Sequence, residues 1–110
     1  MLSELKIRQI RKDPENYYDW NRVSYCEDLS EDFIREFRKY LNWVNISSEQ
    51  KLSEDFIREF KDKVDWYWIS CYQKLSKEFI VEFIDKINFR RILINDNVSK
   101  DVKDYCRMFV

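Results

Sequence analysis

Glu36, Glu59 and Glu82 recur at intervals of 23 residues, and a row of carboxylates is the feature of this chain closest to acid–base or metal chemistry. Both chemistries need carboxylates that converge on one proton or one ion. One carboxylate per packed helical unit puts neighbours roughly 10 Å apart, too far for either. Glu59 stands four residues before Lys63, and Glu82 four before Lys86, the favoured direction for an ion pair along a helix. The row is therefore expected to be a solvated, salt-bridged face. Cys71 is the other reactive type. A nucleophilic thiol needs a depressed pKa, and without histidine that would fall to a lysine or a helix terminus that nothing marks here. An ordinary free cysteine is expected.

Absences narrow the chemistry further. The chain has no His and no Gly. Triads built on histidine and the common zinc sites need the first, and loops that cradle phosphate need the second. No nucleophile, base and oxyanion donor can be assembled, so the chain is expected not to be an enzyme and to use no cofactor or metal. Its net charge of −1, with acids and bases interspersed, gives no electrostatic pull toward nucleic acid or an anionic membrane. A mildly basic C-terminal segment (Arg90, Arg91, Lys100, Lys103, Arg107) is the nearest thing to a nucleic-acid contact, with surface solvation as the ordinary reading. An odd count of three cysteines, Cys26, Cys71 and Cys106, fits reduced thiols in the cytoplasm rather than a secreted disulfide framework. No signal peptide or membrane span is evident.

The elements that would position these residues are set by a repeat. Leu29 to Phe37 reads LSEDFIREF, returns unchanged at Leu52 to Phe60, and returns at Leu75 to Phe83 as LSKEFIVEF. Trp20, Trp43, Trp66 and Phe89 each sit nine residues before the Leu or Val that opens the next copy, followed after three residues by Val23, Ile46, Ile69 and Ile92. Residues 2–12 align to the same scheme, with four extra residues around Pro14, and Val98-Ser99 opens a degenerate last copy. The 110 residues read as one helical-repeat domain, with longer units starting near 2, 29, 52, 75 and 98, and with 1–19 and 98–110 as capping units.

Each longer unit reads as a helix. Ser3, Ser30, Ser53, Ser76 and Ser99 are N-cap candidates, and acids such as Glu31-Asp32 and Glu54-Asp55 follow beside the positive end of the helix dipole. Leu29 with Ile34, and its equivalents, have the spacing of a hydrophobic staple. Phe33, Ile34, Phe37 and Leu41 form one apolar stripe at helical spacing. The shorter unit from Trp66 to Gln73 is about two turns and needs packing to hold it. Turns without glycine fall to residues such as Asn42, Asp65 and Lys74. A two-helix unit that cannot bury its own stripe stacks on the next copy. The expected fold is all-α: a short α-solenoid of 23-residue two-helix repeats, with about five longer helices alternating with four shorter ones. Lys6 and Lys103 stand where the interior copies have Phe33 and Ile34, as solvent-facing end helices require.

The segment from Trp43 to Trp66 resembles short helical repeats of uncharacterised giant-virus proteins of the mimivirus kind, well over residues 20–88 and loosely at both ends. The resemblance implies a viral origin, in host cytoplasm or virion, and brings no catalytic residues.

Comparing copies within the chain separates fixed from drifting positions. Asn21, Arg22, Tyr25 and Cys26 become Val44, Asn45, Ser48 and Glu49, then Tyr67, Trp68, Cys71 and Tyr72, then Arg90, Arg91, Ile94 and Asn95. Tyr67, Trp68 and Tyr72, with Tyr25 nearby, are the expected partner-binding residues, since aromatic and arginine side chains supply most interface hot spots. The competing reading is drift at exposed sites, with Trp68 filling a groove. The function expected is a non-enzymatic protein–protein interaction module. A self-assembling viral component is the alternative, with Ile7, Ile10, Phe109 and Val110 at the ends of the array.

Overall fold

Serine at the start of each LSxxF motif acts as the expected cap. The computed structural model describes residues 2–17, 19–26 and 28–110. Its helices are α1 (Glu4–Lys12), α2 (Trp20–Cys26), α3 (Glu31–Glu36), α4 (Trp43–Glu49), α5 (Glu54–Glu59), α6 (Trp66–Tyr72), α7 (Lys77–Glu82), α8 (Phe89–Ile92) and α9 (Lys100–Cys106). Single 3₁₀ turns cover Pro14–Asn16 and Arg107–Phe109, and the described residues contain no strand. The Ser3, Ser30, Ser53, Ser76 and Ser99 hydroxyls each accept from the amide three residues on. Asn42 and Asp65, expected as turn residues, are N-caps of α4 and α6 in the same way, as is Asn88 for α8.

Helix lengths are more even than the sequence pattern implies. The α-helical part of α3, α5 and α7 is six residues, against seven for α2, α4 and α6. Helical bonding gives way to turns after Phe37, Phe60 and Phe83, where Tyr40, Lys63 and Lys86 amides reach back three residues. The turns still carry Leu41, Val64 and Ile87 into the core. The indole N–H groups of Trp43 and Trp66 donate to the Arg38 and Lys61 carbonyls (2.9 and 3.0 Å), taking up acceptors left open by the helix end. No described residue has a positive φ, so the chain turns its corners without needing glycine.

The core is one continuous strip. Phe33, Ile34, Phe37 and Leu41 are buried, as are Phe56, Ile57, Phe60 and Val64, and Phe79, Ile80, Phe83 and Ile87. Trp43 packs on Phe56 and Phe60, Trp66 on Phe79 and Phe83, and Trp20 on Phe37, so each tryptophan is half-buried between consecutive units. Helix α2 lies against α4, α4 against α6 and α6 against α8. The molecule is 50 × 22 × 19 Å with a radius of gyration of 15.4 Å, more extended than the roughly 13 Å of a compact chain this size.

Polar side chains stitch the units together. Ser24, Ser47 and Ser70 hydroxyls donate to the carbonyl four residues back and accept from the Asn42, Asp65 and Asn88 amides 18 residues ahead. The Gln73 side chain is buried, accepting from the Leu52 amide and donating to the Ser47 and Gln50 carbonyls. Gln50 bonds Leu29 and Ser24 likewise. Glu31 and Glu54 accept from the amide and hydroxyl of Ser53 and Ser76.

The stitching changes at α9. Lys77 replaces the glutamate that would reach Ser99, Leu93 replaces the serine, and Val81 replaces Arg35 and Arg58. Lys77 sits over the Tyr105 ring instead, and Phe109 stacks on Phe89. Asn95, read from the sequence as a drifting outward position, is fully buried and donates to the Ser70 and Gln73 carbonyls, the job of Gln73 one unit on. Helix α8 ends after four residues, so the amide arrives one position early and a shorter side chain suffices.

Candidate interaction surface

The recurring glutamates belong to cross-helix ion pairs. Glu59 accepts from Arg35 Nε and Glu82 from Arg58 Nε at 2.8–3.0 Å, while Glu36 accepts from Arg11 Nε and one terminal guanidinium nitrogen at 2.5 and 2.9 Å. The expected pairs Glu59–Lys63 and Glu82–Lys86 do not form, because α5 and α7 end at Glu59 and Glu82 and the lysines leave on a turn. Arg35 and Arg58 also bond Asp32 and Asp55 and cover the Phe56 and Phe79 rings at 5.3 Å. A guanidinium serves such a threefold contact and an ammonium does not. Hydrogen bonding and charge from Arg11 hold the Glu36 carboxyl below the ordinary range. These carboxylates are committed to arginines rather than converging on a ligand.

On the other surface, α6 turns Tyr67, Trp68, Cys71 and Tyr72 away from the fixed Trp66, Ile69 and Ser70. Three of the four expected partner-binding residues come together. Tyr67 meets Trp68 edge-on at 4.9 Å, and Trp68 stacks on Tyr72 at 5.8 Å with planes 4° apart. Tyr67 and Tyr72 are 41% and 50% exposed, and Trp68 is half-buried beneath them. Framework tryptophans 20, 43 and 66 all donate their indole N–H to a carbonyl, whereas among the described residues Trp68 donates to none. Tyr25 is exposed on α2, beyond α4, and makes no ring contact with the cluster among the described residues.

Arg91, Lys51 and Lys74 join this surface and are not among the expected partner-binding residues. Arg91 of α8 lies over the Tyr67 ring at 5.3 Å, extending the cluster across the α6–α8 boundary. Beside Tyr72 a cavity of about 610 Å³ opens, lined by Ser48, Glu49, Lys51, Lys74 and Asn97, and the Asn97 amide donates to the Tyr72 carbonyl. The row of drifting positions pointed to Arg91; the loop lysines, outside that row, had no such signal.

Cys71 sits within the same patch, half-buried. Burial pushes its thiol pKa up, with Arg91 pulling down and Asp65 pushing up, so the thiol stays protonated. Burial raises Cys106 likewise. No group of three or more metal-binding side chains gathers among the described residues, and no helix there is long and apolar enough to cross a membrane. No protein-family model, curated protein or solved structure matches the chain.

Proposed function

We propose that this chain is a non-enzymatic helical-repeat interaction module, a short α-solenoid that contacts another protein through Tyr67, Trp68 and Tyr72, with the viral origin and cytoplasmic setting that its repeat resemblance and free cysteines imply. The observation that carries this reading is the Trp68 side chain, a large ring in an exposed cluster with an indole N–H that finds no acceptor within the described residues. Tryptophan is enriched at interfaces because one side chain offers both apolar area and a donor. The triple variant Tyr67→Ser, Trp68→Ala, Tyr72→Ser tests it by affinity capture from the native cell with circular dichroism alongside. Unchanged helicity with loss of the captured protein supports the reading; loss of helicity assigns the rings to the fold.

Self-assembly is the second reading, favoured by apolar side chains at the ends of the molecule. Leu5, Met108, Phe109 and Val110 are exposed there. Ile10, expected among the end residues, is instead fully buried in the core, and Ile7 is half-buried. A mass in solution that stays at one chain across concentration removes this alternative.

A further inference from the structure

We propose that residues 99–110, α9 with the terminal 3₁₀ turn, form a latch that undocks and redocks as one piece while the chain up to Asn97 stays folded. Undocking uncovers the Phe89 ring, on the last helix of the α4–α6–α8 row, and the Cys106 thiol. The latch is independent of the α6 cluster and of what that cluster binds.

The junction before α9 differs from those within the array. Helix α7 is tied to the preceding unit by the Ser76 amide and hydroxyl on Glu54 and by Arg58 on Glu82. It also buries Phe79, Ile80 and Phe83. The same positions in α9 are Val102, Lys103 and Cys106, and of these three only Cys106 is buried. Among the described residues, no hydrogen bond or ion pair joins residues 99–110 to the rest of the molecule. Their polar side-chain bonds are internal, from the Val102 amide to Ser99 and from Arg107 to Asp104. Besides apolar burial, two ring contacts hold the segment: Lys77 lies 4.6 Å from the Tyr105 ring centre, and Phe109 stacks on Phe89 at 4.6 Å. An element with little buried apolar area and no polar tie across its boundary stands at the low end of local stability.

The limit of the opening is set on the other side of the junction. Fully buried Asn95 donates to the Ser70 and Gln73 carbonyls, Asn97 donates to the Tyr72 carbonyl, and the Asn88 amide donates to the Ser70 hydroxyl. These bonds hold α8 and the loop after it against α6, so undocking stops at Asn97. A place at the end of a repeat array is not by itself the cause. Helix α1 is also an end helix, yet Arg11 forks onto Glu36 and Ile10 is fully buried. The C-terminal end therefore opens and the N-terminal end stays shut.

Alkylation of the full chain by iodoacetamide, read site by site by peptide mass mapping, tests the latch beside hydrogen exchange of α1, α4–α6 and α9. Cys26 is exposed and serves as the reference, whereas Cys106 is fully buried and reacts only from an open form. Cys106 is expected to react more slowly than Cys26, at a rate that hardly changes with urea below the unfolding midpoint, because one undocked helix exposes little surface. Phe109→Ala should speed Cys106 alkylation about tenfold through loss of the ring contact. Lys77→Gln should speed it about threefold. Both variants should leave Cys26 and the exchange of α4–α6 unchanged. Cys106 alkylation as steep in urea as global unfolding followed by circular dichroism overturns the latch, since the thiol is then exposed only when the whole chain unfolds. Variants that speed α4–α6 exchange by the same factor overturn it as well. Cys106 reacting as fast as Cys26 means that α9 is not docked, and α1 exchanging as fast as α9 means that both ends merely fray; either result overturns it.

Discussion

The two surfaces of this molecule handle the same residue types in opposite ways. Along α3, α5 and α7, arginine is bound to glutamate and aspartate and laid over a phenylalanine, and this arrangement returns from one unit to the next. Along α4, α6 and α8, arginine and aromatic rings also meet, but Arg91 has no acid and the Tyr67 ring it covers is exposed. Where copies agree, the arginines of α3 and α5 are held by acids; where they differ, Arg91 and the Trp68 indole N–H have no such partner among the described residues. Drift alone would be expected to scatter its aromatic residues, yet here three of them touch.

Substitutions on each surface break or sharpen this contrast. The largest effect is expected from Phe56→Ala, a fully buried ring whose loss should cost about 3–5 kcal/mol in thermal or urea unfolding. Trp68→Ala should cost under about 1 kcal/mol, as a half-exposed site away from the core. Equal costs at the two sites would make the aromatic cluster part of the framework. Gln73→Ala comes next, at about 2–3 kcal/mol, because it strands the Leu52 amide and the Ser47 and Gln50 carbonyls in the interior. Arg58→Gln should shift the urea midpoint less than Gln73→Ala, and by less still in high salt, since its ion pairs are solvated.

The smallest expected effect is in acid. Arg11 holds Glu36 below its ordinary pKa, so the pair's stabilisation is complete above the carboxylate range and is lost as pH falls through the folded value. Arg11→Gln should therefore lower stability slightly at neutral pH and leave it nearly unchanged in strong acid. A variant equally destabilised at both ends of that range would show that Arg11 acts by packing.

Much of the framework was legible because it depends on short-range rules. A serine before an acidic turn and an apolar stripe at helical spacing predict the caps and core that α3, α5 and α7 possess. What escaped depended on where helices stop. Lys63 and Lys86 have the right spacing from Glu59 and Glu82, but the helices end first and the acids find arginines 24 residues behind. Asn95 stands in an outward register until the early end of α8 turns it inward. The inter-unit bonds of Gln50 and Gln73 have no sequence signal, because a buried amide is recognisable only by the backbone groups of its neighbours. Of the interaction surface, the copy-to-copy comparison found the aromatic core and placed Tyr25 too near; Lys51 and Lys74 enter from loops whose approach no periodicity encodes.

The described polar contacts between units have a common reach. The Ser47, Gln73 and Glu54 bonds join residues 18 to 26 positions apart. Chain entropy lost in closing such short loops is modest, and no strand from a distant part of the sequence has to be recruited. Folding can consequently start at whichever neighbouring pair docks first and spread outward as a zipper does, with a low topological barrier at every step.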